Sequence, residues 1–146
     1  LRLVSVMGPR YTHGHLIDFY KKLSKNKKKL YVLGNGLQKK SYIHIDDIIS
    51  GFIIILKKQK NQIEIFNIGT DEKKNVKNSV QIITKYLNVK PQIMYENKKT
   101  GWIGDIPNIQ VDCKKLKNIG WNAKYTINES IISTLNWIDK NKKILK

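Results

Sequence analysis

The first seven residues, Leu-Arg-Leu-Val-Ser-Val-Met, form a mostly apolar, β-branched run that stops at Gly8-Pro9. Such a run suits an interior strand of a parallel sheet, where both faces are covered and strict alternation is unnecessary. Parallel neighbours need crossover connections and helices packed on the sheet, so this one feature dictates what the rest of the chain must supply. It is supplied by alternation. Gly14 to about Ser24 places Leu16, Phe19, Tyr20 and Leu23 at i, i+3, i+4 and i+7 of a helix. Leu30–Leu33 is a short strand, closed by the turn Gly34-Asn35-Gly36. Lys40–Ile45 alternates as an extended segment, with Tyr42 and His44 on one face and Ile43 and Ile45 on the other. Asp46 or Asp47 then caps a helix to about Leu56, and its near-continuous isoleucines predict burial on most sides.

The second half repeats the pattern. Ile63–Ile68 is a strand, Asn75 to Leu87 a helix carrying Val76, Val80, Ile83 and Leu87 on one face, and Pro91–Tyr95 a strand. Glu96–Gln110 is irregular. Asp112 caps a short helix ending at Gly120, a left-handed C′ position, with Trp121 following to close the helix end by a hydrophobic contact. Thr126-Ile-Asn-Glu129 is a capping box that opens a last helix to about Asp139. The class is therefore α/β, reading as the second half of a doubly wound domain with a small mixed lobe attached.

Charge and cysteine content narrow the function classes. The formal net charge is +17, yet Arg2 and Arg10 are the only arginines among 28 basic residues. Nucleic-acid readers lean on the planar guanidinium, and here lysines are spread through every segment beside abundant Asn and Ile. Several clusters fall in the last turns of helices, where cations complement the macrodipole. A solvated, compositionally biased surface is the expectation, and a nucleic-acid partner is not. Cys113 is the single cysteine, which excludes an internal disulfide and fits a reducing, cytoplasmic setting. The longest apolar stretch, Ile48 to Leu56, is far short of the roughly 20 residues that span a bilayer, so no membrane partner is expected.

The chain holds no P-loop, no glycine-rich dinucleotide fingerprint, no G-x-S-x-G and no C-x-x-C. His13-Gly14-His15 lacks an evident third ligand, so no metal site is expected, and His44 is read as a hydrogen-bonded structural residue. Three segments gather glycine and polar residues between apolar elements. Met7 to His15 follows a strand at the sheet edge where open α/β proteins bind ligands. Leu33 to Tyr42 has glycines for close backbone approach, and Lys39 or Lys40 to meet a phosphate. Gly101 to Pro107 combines an aromatic with an acid.

These segments carry a resemblance. Arg2-Leu-Val-Ser-Val-Met-Gly-Pro-Arg10, Gly34-Asn-Gly-Leu-Gln-Lys-Lys-Ser-Tyr-Ile-His-Ile-Asp-Asp47, Phe66-Asn-Ile-Gly-Thr70, Gly104-Asp-Ile-Pro107, Asp112-Cys-Lys-Lys115 and Gly120-Trp121 occur in the order and spacing of a known family. The chain resembles the C-terminal half of extended short-chain dehydrogenase/reductase proteins, the NAD-dependent nucleotide-sugar epimerases and dehydratases, over nearly its whole length. The resemblance implies the C-terminal part of a Rossmann-type NAD-binding fold, residues 1–13 and 40–68 completing its sheet and helices. Residues 14–39 and 69–146 would form mainly the substrate lobe. It also implies that the catalytic Tyr-x-x-x-Lys pair and most of the NAD site lie upstream of Leu1, leaving these residues alone without activity, and that the full-length protein is a homodimer.

By the same resemblance, Lys40 stands where the family usually has an Arg that pairs with the diphosphate of a nucleotide-diphosphate sugar. Tyr31 and Leu33 flank the base, His15 falls near base and diphosphate, and Asp105 meets the ribose. Ser5 replaces an Asn that touches substrate, and Trp102 replaces a second diphosphate Arg. The chemistry implied is a 4-keto intermediate formed with NAD. A 4-epimerase is the first reading, a 4,6-dehydratase the second, and a non-catalytic polyanion-binding relative the alternative of another class.

Overall fold

In the computed structural model, which describes residues 1–99, 101 and 108–145, the opening run divides into β1 (Arg2–Leu3) and β2 (Ser5–Met7). Both pair in parallel, as the sequence requires. β2 lies beside β5 (Tyr42–His44), with Ser5 opposite Tyr42 and Met7 opposite His44, and β1 beside β6 (Asn67–Ile68). Their burial departs from the expectation of a fully enclosed strand. Val4 and Met7 are buried, but Leu1 and Leu3 are about half exposed (53% and 47%).

A second sheet region carries β3 (Lys29–Val32), paired in parallel with β8 (Gln92–Tyr95) over all four residues. The third is mixed. β4 (Lys39–Lys40) runs between β7 (Lys74–Asn75), antiparallel, and β9 (Asn108–Ile109), parallel. Helices α1 (His15–Lys25), α3 (Val76–Tyr86) and α5 (Ile127–Lys140) pack around one core, and their apolar stripes meet there. Leu16, Phe19, Tyr20 and Leu23 of α1 are all buried, as the helical spacing predicts. The capping box at Thr126 is formed, Glu129 N–H donating to the Thr126 hydroxyl and the Glu129 carboxylate accepting the Thr126 N–H. Asn75 and Asn78 make a second one that caps α3. Lysines occupy the last turns of α1, α3 and α5, as macrodipole complementarity predicts.

The second core gathers Val4, Ile43, Ile55, Phe66, Ile68, Leu116 and Trp121 under α2 (Ile45–Lys58). Short α4 (Lys114–Asn118) ends as expected. Gly120 has φ 93°, its N–H donates to the Lys117 carbonyl, and Trp121 N–H reaches back to Leu116 while its ring is buried. A 3₁₀ turn, Lys142–Leu145, follows α5. No described helix is long and apolar enough to cross a membrane.

Four local expectations are corrected. The cap of α2 is His44, whose ring Nδ1 accepts the Asp46 N–H, because both aspartates already lie inside the first turn. Burial of α2 on most sides does not occur. Gly51 lets the helix approach Trp121 closely, whereas Ile49, Phe52, Ile53 and Leu56 face outward, 45–59% exposed, with no described element covering them. Only Asn67–Ile68 of the Ile63–Ile68 run is strand, and Ile63 is 86% exposed. Cys113, not Asp112, occupies the cap position of α4. The Asp112 carboxylate instead takes the Lys114 N–H.

Asp47 fastens α2 to the segment that leads into α5. Its buried carboxylate accepts the Lys124 and Tyr125 N–H groups at 2.9 and 3.1 Å, and its carbonyl accepts the Trp121 indole N–H. Removing the carboxylate orphans two amides, each costing about 1–3 kcal/mol. D47A is therefore expected to lower stability by about 2–4 kcal/mol, read as a drop in the urea midpoint, with D47N intermediate. An unchanged D47A midpoint would contradict this reading.

Candidate functional site

Alternation along residues 38–42 puts the Gln38, Lys40 and Tyr42 side chains on one face, and that face forms one wall of a cleft of about 610 Å³. The register of β5 against β2 sets Ser5 beside Tyr42 on the same wall. The opposite wall is the start of α1, where Gly14 is the N-cap with φ 106°, a left-handed value that favours glycine. Gly14 has no side chain to cap the first turn. The hydroxyl of Tyr11 packs where its Cβ would be and accepts the Leu16 N–H. The cleft is closed on its apolar side by Val32 and Leu33 at the end of β3 and by Val76 at the start of α3.

Electrostatics distinguish this cleft from an ordinary surface groove. Burial drives the His15 pKa down to about 4, and the neighbouring charge of Lys40 adds to the effect, so the imidazole is neutral at physiological pH. Its ring lies edge-on to Phe19 and tilted against Tyr42. Its Nε2 is buried with no hydrogen-bond partner, and so is Oε1 of Gln38, a residue only 4% exposed. Burial raises the Tyr11 pKa to about 12, partly offset by the amide of Leu16. The phenol therefore keeps its proton and can donate it outward while accepting from the helix. Asp18 contributes the cleft's acid and is paired with Lys22 at 2.8 Å.

Of the residues expected at a ligand site, Ser5, His15, Leu33 and Lys40 come together here. Tyr31 does not. The β3 alternation turns Leu30 and Val32 inward and leaves Tyr31 57% exposed, off the cleft wall. Trp102 and Asp105 lie outside the described residues. His44 has the structural role expected of it. Nδ1 accepts the Asp46 N–H, leaving Nε2–H to donate to Ser133 Oγ at 2.9 Å, and the ring stacks on Tyr125. His13 stacks on Tyr11, and no group of three metal-ligating side chains occurs among the described residues. Gln38 and Tyr11 were not singled out in the sequence. Gln38 was legible as the residue two before Lys40 on the same strand face, whereas nothing local marked Tyr11.

A second cavity, of about 650 Å³, adjoins the first between the Val6–His13 loop and the start of α2, lined by Ile45, Asp46 and Ile49. Here the first turn of α2 presents the carboxylate of Asp46.

Comparison with known proteins follows the same line. The model of the NAD dependent epimerase/dehydratase family matches residues 1–69. Among curated relatives, the chain is 26% identical to dTDP-D-glucose 4,6-dehydratase of Homo sapiens, covering 96% of this chain and 41% of that protein. It is also 26% identical to a putative UDP-glucose 4-epimerase of Methanocaldococcus jannaschii, covering 98% and 46%. A crystal structure of UDP-galactose 4-epimerase superposes with a TM-score of 0.81 at 28% identity, over 96% of this chain and 45% of that one. The dTDP-glucose 4,6-dehydratase of Bacillus anthracis, solved with NAD, shares the fold with a TM-score of 0.77 at 24% identity. The chain spans less than half the length of these relatives. The chain is similar to NAD-dependent epimerases and dehydratases over nearly its whole length, and it shares the Rossmann-type α/β fold of the solved epimerase.

The buried His15 generates a pH signature. In the folded protein it stays neutral down to about pH 4, whereas in the unfolded chain it takes up a proton near the ordinary value of about 6.5. Unfolding therefore binds a proton between these values, and stability falls as pH drops from about 6.5 towards 4. H15Q is expected to flatten this part of a plot of urea midpoint against pH and to leave the slope above pH 7 unchanged. An identical slope in H15Q would contradict it.

Proposed function

We propose that the cleft binds a nucleotide-diphosphate sugar and that the protein is an NAD-dependent 4-epimerase of such sugars. The observation that carries this reading is the convergence, in one cleft, of Lys40, the start of α1 relayed through the Tyr11 hydroxyl, and two buried polar atoms without partners. A diphosphate is an acceptor-only dianion, and a lysine and a phenol that has accepted a helix amide both donate towards it. Lys40 supplies charge without the bidentate fork of an arginine, so Tyr11 and neighbouring donors set orientation. Val32 and Leu33 offer apolar surface to a base, and Ser5 lies on the sheet side of Lys40, in place to meet the sugar. Trp102 and Asp105 are proposed to complete the diphosphate and ribose contacts.

NAD would accept and return the hydride in such a reaction. The residues present do not fit its pyrophosphate. The chain has no glycine-rich dinucleotide turn, and the second cavity presents the carboxylate of Asp46. NAD is proposed to be held chiefly by residues other than these. The described residues bind and orient the sugar nucleotide. A 4,6-dehydratase is the second reading, supported by the human and Bacillus anthracis relatives.

Lys40→Met tests the site. UDP-glucose and dTDP-glucose affinities, measured calorimetrically, are expected to fall by about tenfold or more, as for loss of a hydrogen bond to a charged group. Uridine, which lacks phosphates, should lose nothing. If neither sugar nucleotide binds saturably to the wild-type protein, or if K40M binds both as tightly, the assignment fails.

A further inference from the structure

Three helices end at the same place. The Tyr20 hydroxyl, midway along α1, donates to Asp139 near the end of α5 at 2.6 Å. Tyr86, the last residue of α3, donates to Asn136 of α5 at 3.0 Å. The loops that leave α1 and α3 stay together, since the Gln92 N–H at the start of β8 donates to the Lys28 carbonyl. Residues 19–29, 84–92 and 136–145 therefore make up one end of the molecule. They hold eleven lysines and a single acid, Asp139. That acid is already engaged, by Tyr20 and by Lys142 at 3.1 Å. Lysines spread along the sequence are thus concentrated in space.

Helix-end complementarity accounts for part of this charge. Lys22, Lys25, Lys85 and Lys140 lie in last turns, where a cation meets the negative end of the helix dipole. Lys27, Lys28, Lys29, Lys90 and Lys143 lie beyond those helices and are exposed. Like charges crowded in this way repel one another and strengthen the local field. The candidate cleft does not use them. It opens at the start of α1, roughly 15 Å along the helix axis from Lys25.

We propose that this basic end adsorbs the protein to an anionic lipid surface. A bilayer with acidic headgroups asks for clustered cations and no directional fork, and lysine meets it as a point charge. Such adsorption needs no spanning helix. A nucleic acid is a poorer match. These segments contain no arginine to grip phosphates or base edges. Their aromatic residues, Phe19, Tyr20, Tyr86 and Trp137, pack into or against the core and are not free to stack on bases. Tyr31 is the exposed aromatic that borders the cluster. Lys22 Nζ donates to its carbonyl at 3.4 Å, and its ring, 57% exposed, shares a strand face with Lys29. One such ring suits the headgroup region, where tyrosine concentrates, whereas a nucleic-acid strand is held on a succession of them.

The test is co-sedimentation with vesicles. Wild-type protein should bind vesicles of phosphatidylcholine and phosphatidylserine in equal parts, fail to bind phosphatidylcholine alone, and be released as salt rises. K27E/K28E should weaken binding by about tenfold or more, since each lysine near an anionic surface contributes about fivefold. K57E/K60E makes the same change in net charge at the end of α2, over the second core, and should stay within about twofold of wild type. All four side chains are exposed, so both variants should keep the wild-type circular dichroism. Absence of binding to the mixed vesicles, or equal binding to phosphatidylcholine alone, overturns the proposal without any variant. Equal losses in the two variants also overturn it, because adsorption would then follow net charge and not this end. If RNA at equal phosphate concentration strips wild type from the vesicles and K27E/K28E loses RNA to the same degree, the surface belongs to nucleic acid and the lipid assignment fails.

Discussion

Two strands carry the candidate site, and one helix holds both at their C-terminal ends. The Gly8 N–H, just past β2, donates to Thr134 Oγ1 at 2.7 Å, and His44, the last residue of β5, donates to Ser133. Neighbouring residues of α5 therefore fix the points from which the Gly8–Gly14 loop and the first turn of α2 depart. Asp47 sets where α5 itself begins, by taking the amides of Lys124 and Tyr125. The cleft inherits its shape from these ties, since its β2 and β5 wall and its α1 wall are positioned from the same helix. Gly8 shows how tight this junction is. With φ 125°, a side chain there would meet Ile45 at 2.8 Å and His44 at 3.1 Å.

The cleft departs from the rule that buried polar groups find partners. His15 Nε2 and Gln38 Oε1 both stand unsatisfied in a region where the rest of the polar framework is closely bonded. Such groups are unfavourable in the free protein, and the simplest physical reason to keep them is a ligand that completes them. The chemistry is consistent on this point. Lys40 and Tyr11 can both donate, as an anion requires.

Much of this was legible in the sequence, for identifiable reasons. Long amphipathic spacing and local caps need only neighbours in the chain, so α1, α3, the Thr126 capping box and the Gly120-Trp121 helix end were read correctly. Strand alternation placed Tyr42 and His44 on one face, and the motif order pointed to the proteins the chain is similar to. What failed depended on distant partners. Isoleucine content in α2 predicted burial, but burial requires an element on the other side, and none of the described residues provides one for Ile49, Phe52, Ile53 and Leu56. The importance of Gln38 rests on a missing partner, which only the folded arrangement reveals.

The account centres on one claim, that a sugar nucleotide occupies the cleft between α1 and the Gln38–Tyr42 strand face. A crystal structure of the protein soaked with UDP-glucose tests it most directly. The diphosphate should lie against Lys40 and the Tyr11 hydroxyl, with the nucleoside beside Gln38 and Leu33 and the sugar towards Ser5. A nucleotide bound only in the cavity beside Asp46, or with its phosphates turned away from Lys40, would contradict it.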